Sequence, residues 1–354
     1  MSFMLSPITG RFLVTPTGFA VHRRCCNQIL INGGLSRLPP SITPVCWTRP
    51  PPFPNDYWLS IGHYGDKVWS NVIEAGGRTW IIDVDDGTLL ANYSGNIFVG
   101  LHCSCPSDDS HDYCFVAGQA GSHLSDLRKL EYSGGSISEK WNWGSGAVWL
   151  NGVTCRPAGD KILVTGYRAR AWSLPNSDWA TVWEIDDATS DMTWAYDMSD
   201  RGTDCMHYSD YYYVASEGGG TPDNVTLWQF SLTGSVNWSK KFGNSVDSLW
   251  ADSDGVRVFT RRTNDWPGAA GEYASVWKLD HGGNVIWSYD ASDTGDHQGG
   301  VGICTANGQT RASYYFSEKS FVVLDDTDGT LIDSDNSISN NYGGQQLVPV
   351  GHRR

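Results

Sequence analysis

SVWKLDHGGNVIWSY, at Ser275–Tyr289, predicts two β-strands joined by a tight turn. Apolar residues lead into and out of the segment Asp280–Asn284, and Trp277 and Trp287 bracket it. A short segment containing Gly and Asn, placed between aromatic and β-branched residues, is typical of a β-hairpin. The fold is therefore inferred by asking where else in the chain this hairpin occurs.

The same pattern recurs along the chain at a nearly constant spacing. In each copy an apolar residue is predicted to pair with a second one 10 or 11 residues later, across a polar turn. The predicted pairs are Trp80 with Leu90, Leu130 with Trp141, Trp183 with Trp194, Trp228 with Trp238, Trp277 with Trp287, and Val322 with Ile332. The leading residues lie 45 to 53 positions apart. A period of this length, filled with strands, predicts a β-propeller or a related β-array.

Two further strands precede each hairpin, so one repeat supplies the four strands of a propeller blade. We therefore predict one all-β domain over residues 1–354, with six blades in residues 57–340. Residues 1–32 and 341–351 are predicted to form a seventh blade, which closes the ring by pairing the C-terminal strand with the N-terminal strands. Six blades with a separate N-terminal arm is the alternative.

The N-terminal segment requires a finer assignment. Gly10–Thr15, Phe19–His22 and Gln28–Asn32 are predicted as the second, third and fourth strands of the closing blade. Residues 33–56 are predicted to be a linker without a strand, because residues 38–55 contain seven of the 15 prolines. Proline-rich segments are stiff and extended.

Composition limits the function. Gly contributes 40 residues and Trp 17, and the formal net charge is −14. An acidic surface repels phosphate groups, so nucleic-acid binding is not expected. No apolar run approaches 18 residues, so no membrane span is predicted. The N-terminus lacks the pattern of a signal peptide and the nine cysteines are an odd number. Both observations favour folding in the cytoplasm with mostly free thiols.

A family resemblance follows from the hairpin itself. The segments LDHGGNVIW, FSLTGSVNW and IDDATSDMTW end at Trp287, Trp238 and Trp194. They resemble the pyrroloquinoline-quinone-type (PQQ-type) propeller repeat, a quinoprotein-like repeat related to the WD40 and YVTN classes. The resemblance covers most of residues 57–337 and implies a propeller fold. Such repeats serve enzymes, scaffolds and assembly factors alike, so no activity follows from them.

Three cysteines are predicted to be buried between blades. Cys155 and Cys205 each lie five residues before the aspartate of a predicted turn, and Cys304 has nearly the same offset. Ile61 and Leu249 have this offset in other repeats. One apolar position of the repeat is therefore predicted to hold Cys, Ile or Leu in turn.

Metal and cofactor sites are weakly indicated. A candidate zinc cluster, with thiolate and imidazole ligands, comprises Cys103, Cys105, His111 and Cys114. Its C-x-C-x5-H-x2-C spacing matches no standard zinc pattern, and the alternative is an enlarged turn between two strands. We predict neither a metal nor a cofactor, since no ligand set of the quinoprotein enzymes can be transferred to this chain.

Candidate binding residues lie on the long loops between the second and third strands of the repeats. These loops are predicted to share one face with the loops that join successive blades. Exposed Trp and Arg are enriched at protein-binding hot spots. The candidates are Arg168, Arg170, Trp172, Trp179, Arg261, Arg262, Trp266 and Tyr273. In the alternative interpretation, the aromatic side chains fold back over the blades.

The favoured hypothesis is a non-enzymatic propeller that binds proteins, as a structural or docking module. Its specific form is a component of a phage virion, in the tail or nozzle, with protein partners in a large assembly. One alternative is an enzyme that uses the central channel, as a quinoprotein-like oxidoreductase, a lyase or a hydrolase. The other alternative is a glycan- or peptide-binding propeller. An enzyme is less favoured because no catalytic motif is present.

Overall fold

The computed structural model describes the chain in segments. These are residues 19–21, 28–30, 47–49, 57–64, 67–73, 78–83, 87–94, 97–104, 112–120, 124–144, 149–170, 179–218, 225–290, 300–306, 308–314, 321–335 and 347–349. Within these segments the secondary structure consists of strands and turns. The described part of the chain has no helix of the length and hydrophobicity that crossing a bilayer requires.

The described residues form 28 strands. In chain order these are β1 (Phe19–Val21), β2 (Gln28–Leu30), β3 (Trp47–Arg49), β4 (Tyr57–Tyr64), β5 (Lys67–Ile73), β6 (Arg78–Asp83), β7 (Leu89–Tyr93), β8 (Ile97–Ser104), β9 (Tyr113–Ala120), β10 (Leu124–Ser133), β11 (Ser136–Trp143), β12 (Leu150–Cys155), β13 (Lys161–Arg170), β14 (Trp179–Asp186), β15 (Met192–Tyr196), β16 (Gly202–Tyr208), β17 (Tyr211–Ser216), β18 (Leu227–Ser231), β19 (Val236–Lys240), β20 (Val246–Asp252), β21 (Gly255–Thr263), β22 (Ala274–Leu279), β23 (Val285–Tyr289), β24 (Gly300–Ala306), β25 (Gln309–Tyr314), β26 (Phe321–Asp325), β27 (Leu331–Asp335) and β28 (Leu347–Pro349).

Seven four-stranded antiparallel sheets are built from these strands. Sheets 1 to 6 each take four consecutive strands, β4–β7, β8–β11, β12–β15, β16–β19, β20–β23 and β24–β27. The first strands of successive sheets contact each other in chain order, so these strands are the inner ones and the fourth strands are the outer ones. Four-stranded sheets arranged side by side through their first strands have the architecture of a β-propeller.

Sheet 7 joins the two ends of the chain, in the order β28-β2-β1-β3. The pairing of β28 with β2 matches the predicted contact between the chain ends, but two strand assignments are wrong. β2 takes the second position instead of the fourth, and the fourth position is filled by β3, inside the segment predicted to be a linker. Proline lacks an amide donor and is tolerated beside an outer edge, so Pro50 can directly follow this strand. The predicted strand Gly10–Thr15 lies outside the described residues.

The hairpin at Ser275–Tyr289 is confirmed as β22 and β23, but the predicted pairing of its tryptophans is wrong. Trp277 lies opposite Ser288, and Trp287 lies opposite Lys278, because a bulge between Lys278 and Leu279 adds one residue. A shift of one residue moves a side chain to the other face of a sheet. Trp277 therefore packs toward sheet 4, and Trp287 packs toward sheet 6.

Two other predicted pairs show the same shift of one residue, and the remaining three are displaced by two residues. Trp183 lies opposite Ala195 and Trp228 opposite Ser239. In the remaining hairpins, the residues facing Trp80, Leu130 and Val322 are Asn92, Glu139 and Ser334. Each of these hairpins has a one-residue bulge, and in sheet 5 the bulge places Trp277 and Trp287 on opposite faces.

A glycine in the turn between the third and fourth strands lies against the outer-strand tryptophan of the preceding sheet. A Cβ atom on Gly329 would lie 2.8 Å from the Trp287 ring, and one on Gly283 would lie 3.1 Å from the Trp238 ring. Both glycines have positive φ angles, +76° and +82°. The indole N–H of Trp287 also donates to the Asp326 carbonyl at 3.0 Å. The turn glycines thus serve both the turn and the contact between sheets.

Inner strands are joined by side chains that bond to the backbone of the next inner strand. The Asn151 side-chain amide donates to the Gly202 carbonyl at 2.7 Å. The Leu249 amide donates to the Asp204 carboxylate at 3.0 Å. These bonds occupy strand edges that would otherwise have unpaired backbone groups.

The three cysteines are buried, as predicted, but they do not share one position. Cys205 pairs with Val214 and corresponds to Leu249, whereas Cys155 pairs with Ile162, two residues further along its strand. The cause is the turn at residues 156–160, which is longer than the two-residue turn at 209–210. Two cysteines at the same distance in sequence from the turn aspartate therefore pair at different positions along their strands.

Candidate functional site

Loops between the second and third strands share one face with the loops that join successive sheets, as predicted. The Gly243 amide, between sheets 4 and 5, donates to the Asp265 carbonyl in the long loop of sheet 5 at 2.7 Å. Arg201, between sheets 3 and 4, reaches Tyr167 in sheet 3 and Glu217 in sheet 4. We call this surface the loop face.

Arg262 and Tyr273 come together on the loop face, as two of the predicted binding residues. Nε and Nη2 of Arg262 donate to the Asp290 carboxylate at 3.0 and 2.8 Å. The guanidinium carbon lies 4.2 Å from the centre of the Tyr273 ring. The Asp290 hydrogen bonds raise the pKa of Arg262 above its usual value. Tyr273 is 47% exposed and is held in a fixed orientation beside a charged group.

A second group of the same kind was not predicted from the sequence. Arg201 donates to the Tyr167 hydroxyl at 2.9 Å, and its guanidinium carbon lies 4.8 Å from the Tyr167 ring centre. Glu217 lies 3.3 Å from the same guanidinium. Arg201 lies on a loop between sheets, whereas the predicted binding residues lie on the loops within sheets. The sequence signal for this group is the recurrence of Arg, Tyr and an acidic residue when the loops within sheets are compared with the loops between sheets.

The two tryptophans of the candidate set have different environments. Trp179 begins β14, opposite Arg170, and is 42% exposed. Trp266 instead folds back over sheet 5, where its ring lies 6.1 Å from that of Trp277 and its indole N–H donates to the Glu272 carbonyl. Trp266 therefore has the position that the alternative interpretation expects, that of a packing residue.

The remaining predicted residues fall outside what the structure describes. Arg168 and Arg170 lie on β13 and Arg261 lies on β21, but their side chains are not described, and Trp172 is not described at all. In the candidate zinc cluster, the described side chain is that of Cys114, which is buried and donates from Sγ to the Phe115 carbonyl. Cys103 lies on β8, and Cys105 and His111 lie outside the described residues. The zinc cluster stays a weak prediction.

A buried ionic cluster lies between sheets 5 and 6, around Asp326 in the turn that follows β26. The Asp326 carboxylate accepts hydrogen bonds from Nε of Arg257 at 2.8 Å, from Nζ of Lys278 at 2.7 Å and from the Thr310 hydroxyl at 2.5 Å. Burial would raise the pKa of Asp326, but these bonds outweigh it and hold the pKa below its usual value. Asp252 is a second anionic partner of Arg257. This cluster is satisfied internally, so we assign it to structure.

Between sheets 4 and 5 the same positions hold neutral residues. Gln229 donates to the Tyr213 hydroxyl at 2.9 Å and to the His281 carbonyl at 2.7 Å. The Tyr213 hydroxyl lies 2.7 Å from Nδ1 of His281, and burial raises the pKa of Tyr213 to about 12. The repeat keeps the geometry of this contact and changes its chemistry from one pair of sheets to the next.

Asp204 joins the inner strands of sheets 4 and 5. It lies on the inner strand β16 and accepts from the Cys205 amide at 2.8 Å and from the Leu249 amide at 3.0 Å. Burial raises the pKa of Asp204 to about 7, although these bonds and one from the Ser248 hydroxyl act in the opposite direction. A carboxylate with a strongly raised pKa is a functional-site candidate in general. Here the bonds from the Leu249 amide and the Ser248 hydroxyl join Asp204 to β20, so we assign it to the contact between inner strands.

This pKa predicts a pH effect on stability. Between pH 4 and 7 the carboxyl group of Asp204 is protonated in the folded chain and ionised in the unfolded one, whose pKa is about 3.9. The folded state then binds more protons, so the free energy of unfolding falls as pH rises, by up to about 1.4 kcal/mol per pH unit, and levels off above pH 7. Asp204→Asn is expected to remove this component. Urea unfolding of both proteins across pH 4–8 measures it, and parallel pH profiles would contradict the assignment.

Comparison with solved structures finds distant likenesses in fold. The chain is similar to the crystal structure of BamB from Moraxella catarrhalis, with a TM-score of 0.49 and 13% sequence identity over 97% of this chain and 90% of that chain. No family model and no curated protein matches the sequence. The propeller architecture therefore rests on the sheet topology.

Proposed function

We propose that this chain is a non-enzymatic β-propeller that binds a protein partner through its loop face. One observation carries the proposal. Among the described residues, the two exposed large aromatic side chains, Trp179 and Tyr273, both lie on this face. Trp, Tyr and Arg are the residues that dominate binding energy at protein interfaces.

The arrangement around Tyr273 supports the proposal. Asp290 holds the guanidinium of Arg262 with a two-pronged contact, and the guanidinium lies over the aromatic ring. Side chains fixed before binding lose little conformational entropy when a partner docks. A net charge of −14 disfavours a phosphate backbone as the ligand, so a protein is the expected partner.

We also infer that the seven sheets are the seven blades of one closed ring. β28 contacts both β24 of sheet 6 and β4 of sheet 1, which supports closure by the C-terminal strand. A closed ring would hold the loops of the loop face in fixed positions relative to one another. Removal of residues 345–351 should then lower the thermal unfolding midpoint of the whole chain, and an unchanged midpoint would exclude closure by this strand.

The specific form of the proposal is a component of a viral particle, in a tail or nozzle, folded in the cytoplasm and then assembled with protein partners. The sequence composition supports it, with few lysines and many Gly, Ser, Asp and Trp residues. Sedimentation of lysates through a density gradient tests it. The chain should co-sediment with particles, and recovery of the free monomer alone would contradict a particle role.

Substitutions on the loop face test the binding proposal itself. Trp179→Ala and Tyr273→Ala are expected to reduce partner capture from the native lysate at least tenfold, while the thermal unfolding midpoint changes little because both side chains are exposed. Capture is measured by cross-linking and mass spectrometry with the full chain as bait.

Trp266→Ala is the matched control for these substitutions. It removes a packed ring from the same face, so it should lower the thermal midpoint and leave the exposed surface in place. Equal capture by the parent, Trp179→Ala and Tyr273→Ala would contradict the loop-face proposal. If added oligosaccharides compete with the partner and abolish its capture, that result would favour the glycan-binding alternative.

A further inference from the structure

Exposed aliphatic side chains are concentrated on the outer strands of three consecutive sheets. Val236 on β19 is 37% exposed, and Ile286 on β23 is 50% exposed. Leu331 and Ile332 on β27 are 42% and 47% exposed. Among the described residues, these four and the two loop-face aromatics are the exposed large hydrophobic side chains. The outer rim of sheets 4 to 6 therefore has an apolar surface separate from the loop face.

The fold itself does not require this apolar surface. The residue just before the outer-strand tryptophan is Lys140 in sheet 2 and Thr193 in sheet 3, and both are exposed. The corresponding residue in sheet 5 is Ile286, and in sheet 6 Ile332 precedes Asp333. Lysine on an outer strand is a common means of preventing pairing with other chains. Strands β23 and β27 contain no Lys or Arg, so they lack this protection.

Contacts between sheets bring the three outer strands into one row. Gly283, in the turn before β23, lies against Trp238 of β19. Gly329, in the turn before β27, lies against Trp287 of β23. Ile286 is adjacent to Trp287, and Leu331 follows two residues after Gly329. The exposed aliphatic residues of sheets 5 and 6 therefore lie on either side of one tight contact.

Both outer strands can accept another strand. In the described part of the chain, β23 and β27 are the last strands of their sheets and each is paired on one side only. A free edge binds an extended segment through backbone hydrogen bonds, and alternate side chains determine which segment fits. Leu331 and Ile332 supply the apolar contacts on β27. Asp328 is exposed in the turn just before this strand, and Asp333 lies within it.

We infer that the outer edge of β27 binds an extended segment of a protein partner in which apolar and basic side chains alternate. The apolar side chains would pack on Ile332 and Leu331. The basic ones would meet Asp328 and the overall acidic surface, which carries a net charge of −14. A second copy of this chain does not fit this description, because two surfaces of the same sign repel each other.

A capped eight-residue peptide of alternating valine and lysine is the probe for this edge. The full chain is expected to bind it, and hydrogen exchange should slow at the amides of β27 when the peptide is present. Ile332→Lys places a like charge at the edge and is expected to weaken binding at least tenfold. Ser138→Lys adds the same charge to the exposed outer strand β11 of sheet 2 and is the matched control.

The outcomes separate strand addition from simple charge attraction. A peptide of the same composition with its four lysines placed together should not protect β27. Four results would overturn the inference. Ile332→Lys and Ser138→Lys could weaken peptide binding equally, or the peptide could slow hydrogen exchange at another strand. The rearranged peptide could protect β27 equally, or the alternating peptide could fail to bind. Tyr273→Ala should leave peptide binding unchanged, so the loop-face proposal and this one succeed or fail separately.

Discussion

Asp326→Asn is expected to lower the free energy of unfolding by roughly 3–5 kcal/mol, the usual cost of removing one partner from a buried ion pair. Arg257 is 1% exposed at its side chain, and Lys278 is 9% exposed, so neither cation can turn to water when the carboxylate is lost. The substitution keeps the volume of the side chain and removes its charge. Urea unfolding at pH 7 measures the effect.

Asp328→Asn is the matched control for this prediction. Asp328 lies two residues away in the same turn and is exposed, so its loss should change the free energy of unfolding by less than about 0.5 kcal/mol. The pKa of Asp326 is held below its usual value, so the stabilisation is present above the unfolded pKa, near 3.9, and is lost as pH falls further. The gap between the parent and Asp326→Asn should therefore shrink in acid. Equal destabilisation by both substitutions would contradict a buried ionic cluster.

Gly329→Ala is expected to destabilise the chain by about 3 kcal/mol, from two separate causes. A φ angle of +76° costs an L-residue roughly 1–2 kcal/mol. The new Cβ atom would also lie 2.8 Å from the Trp287 ring, and overpacking of this kind typically costs about 1–3 kcal/mol. The ring has little room to move, because Trp287 is buried and its indole N–H is bonded to Asp326.

Gly135→Ala separates the two causes. Gly135 has a φ angle of +81°, but a Cβ atom there would meet nothing within 4 Å. The substitution should therefore cost only the backbone component, roughly 1–2 kcal/mol. The difference between the two variants, measured by urea unfolding, is the contribution of the contact between sheets 5 and 6. No difference would mean that Gly329 is needed by its turn alone.

Part of the loop face could be predicted from the sequence. Exposed aromatic and Arg residues in long loops indicated Arg262 and Tyr273, which are 11 residues apart and meet in the structure. The partner Asp290 could not be found in this way, because it lies 28 residues after Arg262 and follows another strand. Trp266 is a binding candidate from the same loop, and only its contact with Trp277 shows that it is a packing residue.

The sequence by itself determined the strands and their repeat, since alternating apolar residues and Gly-containing turns act over a few residues. The bulges decided on which face of the sheet a side chain lies, because each bulge shifts the pairing of the two strands by one residue. A bulge leaves no simple signal in the local sequence. The tertiary structure also decided which apolar residues are buried. Ile286 and Trp287 are neighbours in one strand, yet Trp287 is covered by the turn of sheet 6 and Ile286 faces solvent, because Ile286 is the extra residue of the bulge.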